Sequence, residues 1–316
     1  MRNRGGASPR RLQSVLERAA QRPGVRRRVE ANTAVREVAS RHYAGETALD
    51  AAAVVVGLHS KGLLTTLAHM GPLHPTPAQA DDAVASQWEL VEQLTRAGHF
   101  AESGLSVAPT SLGIMDDFDA AVGRGRLLCE AARSGGGAVT LDAQQSTTTS
   151  AAIRLWQALR ETHPETGLTL QARLRRTGDD VERVASDGAR LRLVFGAYAE
   201  PASEAFLRRR ETDLAYVRNL RVLMSSDAYP MIATRDPRII EIACCLAECG
   251  LKQVDGFEFQ QLLGVRPLEQ RRLADIGYRS RVYVPWGVGW YDYLVGRVSH
   301  TPGVLGMYLR SLVVKR

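Results

Sequence analysis

Apolar positions along the chain fall into two alternating rhythms. Short β-rich runs occur at Leu64–Ala68, Leu105–Ala108, Ala138–Asp142, Leu168–Leu174, Leu191–Phe195, Pro230–Thr234, Phe257–Leu262 and Arg281–Pro285. Between them apolar residues recur at helical spacing. The spacing predicts helices over Thr76–Ala97, Asp116–Arg133, Thr147–Thr162, Asp179–Ala185, Ala202–Met224, Pro237–Ala247 and Leu268–Ile276, with a last one over Trp290–Leu312. Parallel strands need crossover helices. Eight strand–helix units in series close more readily into a (β/α)8 barrel than into an open sheet. The predicted fold class is therefore α/β, a barrel over residues 63–316 preceded by an N-terminal helical arm over residues 1–62.

The arm changes how the net charge reads. The chain carries +7, yet residues 1–28 hold nine arginines against one acid, Glu17. The rest is close to neutral. Ser8 and Pro9 suit the N-cap and first position of a helix, with Leu12, Val15, Leu16 and Ala19 on one face and Pro23-Gly24 as its end. Such a basic, striped helix fits docking on an anionic membrane surface, and it fits covering the barrel's bottom equally well. It also fits a solubilising tail in an arginine-biased chain, whose only lysines are Lys61, Lys252 and Lys315. No nucleic-acid-binding signature accompanies it. The longest apolar run, Ala51–Leu58, is too short to span a bilayer, and no secretory h-region follows the arginines. The four cysteines (Cys129, Cys244, Cys245, Cys249) have no framework spacing and read as reduced thiols, with Cys245 and Cys249 expected as small buried apolar residues. A cytoplasmic protein is the expectation.

In such a barrel chemistry sits at the C-terminal ends of the strands. That rule nominates Asp142, Gln171, Arg192, Gly196, Tyr198, Thr234, Arg235, Asp236, Glu258, Gln260, Tyr283 and Trp286. The set is rich in amides, arginines and tyrosines, which suits holding a cofactor better than hydrolysis. His59, His69 and His74 match no metal-ligand spacing. Ser134-Gly135-Gly136-Gly137 precedes a strand and so reads as a turn, not as a dinucleotide loop.

Five blocks then appear in order: Leu191-Arg192-Leu193-Val194-Phe195-Gly196-Ala197-Tyr198, Pro230 to Pro237, Phe257 to Gly264, Arg281-Val282-Tyr283-Val284-Pro285-Trp286-Gly287, and Tyr293 to Arg297. Together they resemble the proline dehydrogenase family, FAD-dependent enzymes built on a distorted (β/α)8 barrel. The resemblance implies FAD contacts at Gln171, Arg192, Gly196, Thr234 and Gln260. It implies a substrate pocket lined by Asp142, Tyr198, Leu262 and Tyr283, and a carboxylate grip at Arg297. The activity it implies is oxidation of the C–N bond of L-proline or a related secondary amine, with a quinone or oxygen as electron acceptor.

Departures from the pattern cluster at one face of the barrel. Ala108 stands where the resemblance calls for a lysine, and Gly296 where it calls for the first of two arginines. Each lost charge-assisted hydrogen bond costs about 1.5–3 kcal/mol of carboxylate binding. Phe195 replaces a second lysine, while Arg235 brings a cation that would meet an FAD phosphate. These changes point to a proline-like amine with a masked or missing carboxylate, another small secondary amine or a hydrazine, in specialised metabolism. The alternative is a barrel without redox chemistry that serves as a binding or regulatory protein.

Overall fold

A computed structural model describes residues 22–300 apart from Leu73, Ser186 and Asp187, with the side chains of Ala34, Val38 and residues 297–300 left outside the description. The expected arm helix from Ser8 and the end of the last helix, beyond residue 300, fall outside it.

All eight expected strands form. They are β1 (Leu64–His69), β2 (Leu105–Val107), β3 (Val139–Leu141), β4 (Gly167–Gln171), β5 (Arg190–Val194), β6 (Tyr229–Ala233), β7 (Glu258–Leu262) and β8 (Ser280–Trp286). Each pairs in parallel with its neighbour in sequence, and β8 closes on β1 from Leu64↔Arg281 to His69↔Trp286. Leu191, Leu193, Phe259, Val282 and Val284 alternate outward into the main apolar core beneath the helices. The intervening positions point into the barrel, where polar residues meet across its axis.

Local chemistry explains where the helices start. Thr76 and Gln79 bond reciprocally around Pro77 to open one helix, and Asp117 accepts from Ala120 N at another. Two boundaries differ from expectation. The strand expected to reach Leu174 stops at Gln171, and Leu174 instead bridges to Ala205 in the loop after β5. The helix expected from Ala202 begins at Arg209. The preceding loop is tied down instead by buried Glu200, which accepts from Ser146 N at 2.8 Å and Ser146 Oγ at 2.7 Å.

The chain before β1 holds three helices, α1 (Pro23–Glu30), α2 (Thr33–Ser40) and α3 (Ala48–His59). Pro23 starts a helix here; at the first helical position its missing N–H costs nothing and its fixed φ helps. Thr47 and Asp50 form a capping box for α3, which packs against β1 and β8 in the barrel wall. That is the flank a final helix would occupy. The final helix, which starts at Trp290, instead meets α2 over the C-terminal end of the strands, where Ala39, Tyr43, Trp290 and Tyr291 form a separate small core with Met70 against it. Ala44 N donates to Pro285 O and Gly287 N to Gly45 O, both at the end of β8. The end of α2 and the turn after it thus lie over the barrel's mouth, while α3 lies in its wall. Gly287 permits the turn: it has φ +109°, and a Cβ there would stand 2.9 Å from Met70 O. This exchange of helix positions is the barrel's distortion.

On the helix Pro237–Glu248, Ile239, Ile240 and Ala243 are buried, whereas Cys245 and Cys249 are exposed. The expectation of buried thiols is corrected by geometry: two residues beyond Ala243 the helix has turned about 200°, away from the barrel.

Candidate active site

Arg192 is the centre of the arrangement. It points inward from the middle of β5 and is 3% exposed. Nε donates to Gln260 Oε1 at 2.6 Å, while Nη1 reaches Ser106 Oγ on β2 and Asp142 Oδ1, both at 2.6 Å. A bond from β5 to β2 can cross only through the barrel's interior. Asp142 lies one residue past β3 and accepts from three donors: Arg192 and Ser106 Oγ at Oδ1, and the Tyr283 hydroxyl at Oδ2 at 2.8 Å. The Arg192 guanidinium also stands 5.7 Å from the centre of the Tyr283 ring.

Both expected tyrosines stay protonated at neutral pH. Burial first, and then the charges of Asp142 and Glu200, push the Tyr198 phenol up to about 12. Burial raises Tyr283 well above its ordinary value, with the Asp142 carboxylate adding to the effect.

The remaining candidates ring the mouth. Gln171 ends β4, is buried, and donates through Nε2 to Gln144 O at 2.6 Å. Gly196 follows β5 at φ +101°; a Cβ there would come within 2.9 Å of Arg173 Cβ and 3.2 Å of Gln171 Oε1. The backbone is thus packed closely against a polar side chain, with no room for a side chain of its own. Thr234 N donates to Gln260 O at 3.2 Å, and its hydroxyl accepts from Asp236 N at 3.1 Å. Arg235 is exposed on the rim, its carbonyl accepting from Arg266 Nη1 at 2.9 Å. Leu262 is half-buried and pairs with Tyr283 in the β7–β8 register. The structure therefore joins Asp142, Arg192, Gln260 and Tyr283 in one bonded cluster. Gln171, Gly196, Thr234 and Arg235 are spread along the rim beside it, and the side chain of Arg297 lies outside the described residues.

Ser106 and Thr169 complete the cluster, the latter 3.4 Å from Arg192 Nη1, and the sequence reading passed over both. Their signal was a polar residue at an inward position of a strand. Ser106 lies two residues before Ala108 on one face.

Whether these residues suit a flavin is decided by what the cluster leaves open. Arg192 Nη2 is buried and has no hydrogen-bond partner among the described residues. Buried polar atoms are normally paired, and an orphan costs about 1–3 kcal/mol. A charged donor held rigid on two of its three nitrogens, in a barrel that also carries the buried amides of Gln171 and Gln260, fits a polar heterocycle. Among the described residues no group of three or more His, Cys, Asp or Glu is arranged to hold a metal. No helix among them is long and apolar enough to cross a membrane.

Comparison with known proteins agrees with this geometry. The sequence model of the family described as proline dehydrogenase matches residues 51–298. Proline dehydrogenase 1 of Bacillus subtilis strain 168 is 30% identical over 277 residues, covering 88% of this chain and 91% of that protein. A proline dehydrogenase of Deinococcus radiodurans is 32% identical over 273 residues, covering 84% and 86%. Among solved structures, proline utilization A of Bdellovibrio bacteriovorus, inactivated by N-propargylglycine, superposes with a TM-score of 0.76 at 21% identity. The match covers 84% of this chain and 32% of that one, so the fold corresponds to about a third of the larger protein. The chain belongs to the proline dehydrogenase family.

Proposed function

We propose that this protein is an FAD-dependent oxidoreductase that converts the CH–NH unit of L-proline, or of a proline-like secondary amine, into a C=N bond. The observation that carries the reading is the Arg192 cluster: a buried guanidinium fixed by Asp142, Ser106 and Gln260, with one nitrogen left for a partner.

Gln171, Arg192, Gly196, Thr234 and Gln260 would hold FAD at the mouth, with Arg235 meeting a phosphate in place of the cation missing at Phe195. FAD supplies the hydride acceptor, at its N5. The chain's own part is charge and position. Arg192 would hold a fixed positive charge toward the bound FAD, which would stabilise negative charge there. Asp142 keeps that arginine and Tyr283 in register. Tyr198 and Tyr283, both neutral, and Leu262 present flat and apolar walls to a small ring and keep water from the transferring hydrogen. Arg297 would pair with a substrate carboxylate. Ala108 and Gly296 bring no charge to that grip, which favours amines whose carboxylate is absent or masked over free proline, hydrazines included. The same two residues support the second reading, a barrel retained for binding after its redox chemistry was lost.

The test is the visible spectrum of freshly purified protein, followed by anaerobic addition of L-proline, its esters and amide, pyrrolidine and small hydrazines. A flavin spectrum that one of these bleaches supports the proposal. Folded protein that holds FAD and is bleached by none of them, or that ignores added FAD, refutes it. The same titration on Arg235→Ala checks the phosphate role, since unchanged FAD affinity would remove it.

A further inference from the structure

The most deeply buried charge in the barrel lies beneath the site described above. Glu258 opens β7 and has no exposed surface. Arg281 on β8 grips its carboxylate with two prongs, Nε to Oε1 at 2.7 Å and Nη2 to Oε2 at 3.1 Å. The Tyr229 hydroxyl donates to Oε2 at 3.3 Å, and Arg190 Nη2 stands 4.0 Å from the same oxygen. The remaining bond leads upward: Gln260 Nε2 donates to Glu258 Oε1.

Gln260 is thereby caught between two one-sided partners. A carboxylate only accepts hydrogen bonds and a guanidinium only donates them. Facing Glu258 below and Arg192 above, the amide has one workable orientation, with Nε2 down and Oε1 up to Arg192 Nε at 2.6 Å. That bond and the pair from Nη1 to Ser106 and Asp142 set the guanidinium plane. They also decide which nitrogen, Nη2, is left without a partner among the described residues.

We propose that Glu258 is a positioning residue for the active site, acting through the Gln260 amide to fix the orientation of Arg192. The inference rests on the proposed roles of Arg192 and Gln260 toward FAD. It differs from a plain structural ion pair in one respect. Charge balance with Arg281 and Arg190 needs only a carboxylate at this depth. The relay needs that carboxylate within reach of Gln260.

Glu258→Asp separates the two roles, because it keeps the charge and withdraws the carboxylate by one methylene. Glu258→Gln keeps the length but gives Gln260 a partner that both donates and accepts, so either amide orientation becomes possible. Parent, Glu258→Asp, Glu258→Gln, Gln260→Met and Glu258→Asp/Gln260→Met would be compared as holoenzymes. FAD dissociation constants and flavin midpoint potentials are the readouts, with circular dichroism as the check on folding. Glu258→Asp is expected to loosen FAD by about tenfold, the scale of one charge-assisted hydrogen bond, and to move the potential. Both effects should vanish in the Gln260→Met background, since the relay is already cut there. Should Glu258→Gln fail to fold, the aspartate variant carries the test. Folded Glu258→Asp with parental affinity and potential overturns the proposal. So does an effect of equal size with Gln260→Met present, which would mark a structural role. A parent that binds no FAD overturns this inference and the oxidoreductase reading together, whereas an FAD-binding parent beside an unaltered Glu258→Asp overturns this inference alone.

Discussion

Asp142→Ala is the sharpest test of the central cluster. The substitution strands three donors at once: Ser106 Oγ, Arg192 Nη1 and the Tyr283 hydroxyl. At the observed 2.6 Å, two unit charges attract by about 6 kcal/mol with an effective dielectric near 20. Desolvation offsets much of this, and breaking one side of a buried pair typically costs about 3–5 kcal/mol. The Asp142 side chain is 16% exposed and that of Arg192 3%, so water can reach the aspartate side but not the arginine it leaves behind. The lower end, about 3 kcal/mol, is the appropriate figure. A chain of 316 residues unfolds with an entropy of about 0.7 kcal/mol/K, so the melting midpoint should fall by about 4–5 °C. Asp142→Asn retains one acceptor oxygen for Arg192 and should lose about half as much. Thermal melts of the FAD-free proteins, followed by circular dichroism, read both values directly. A midpoint for Asp142→Ala within about 1 °C of the parent would show that the ion pair contributes nothing net, and the account of Asp142 as the anchor of Arg192 would fall.

Two further outcomes follow from positions at either end of the same column. Gly196→Ala forces a side chain into φ +101° and within 2.9 Å of Arg173 Cβ, at a cost of about 1–3 kcal/mol; purified protein should retain less FAD than the parent, and full retention would remove Gly196 from the proposed FAD contacts. The Glu258 carboxyl gives a pH dependence. Burial alone would raise it, but the charge and hydrogen bonds of Arg281, with Arg190 and Gln260, bring it down from 4.5 to about 2. A carboxylate with a lowered folded pKa stabilises fully above its unfolded value, and the contribution is lost as pH falls through the folded one. Stabilisation on the order of 3 kcal/mol should therefore be present above about pH 4.5 and disappear between there and about pH 2. Urea unfolding of the parent against Glu258→Gln across that range reads the difference, and parallel curves would contradict it.

The strands and most of the helices could be read from the chain because their signals are local. Apolar alternation, capping residues such as Thr76 and Asp117, and prolines at first helical positions act over a few residues, and the strand-then-helix pattern recurs in one order along the chain. The same is true of Asp142 and Gln171 at strand ends and of Arg192 and Gln260 in mid-strand, whose inward places follow from counting along each strand. Boundaries failed where the deciding contact came from far away. Leu174 leaves its strand to bridge Ala205, and the loop before Arg209 is held by the bond of Glu200 to Ser146. The helix that Pro23 opens was not expected, because what steadies it is distant in sequence: Arg26 lies against Tyr291 and Asp292.

What local pattern could not supply is which inward residues meet. Ser106, Asp142, Arg192, Gln260 and Tyr283 come from five strand segments spread over much of the chain, and no spacing relates them. Closing the sheet brings them onto one axis, where excluded water makes each polar atom find a partner or remain an orphan. The exchange of α3 and the final helix is decided in the same way, by which apolar faces fit the flank and which fit the mouth. Local chemistry along the chain thus specified the elements and the candidate residues. The amide orientation of Gln260, the Arg192 nitrogen without a partner among the described residues and the helices over the mouth arise only from long-range closure, because burial and pairing are properties of the assembled barrel.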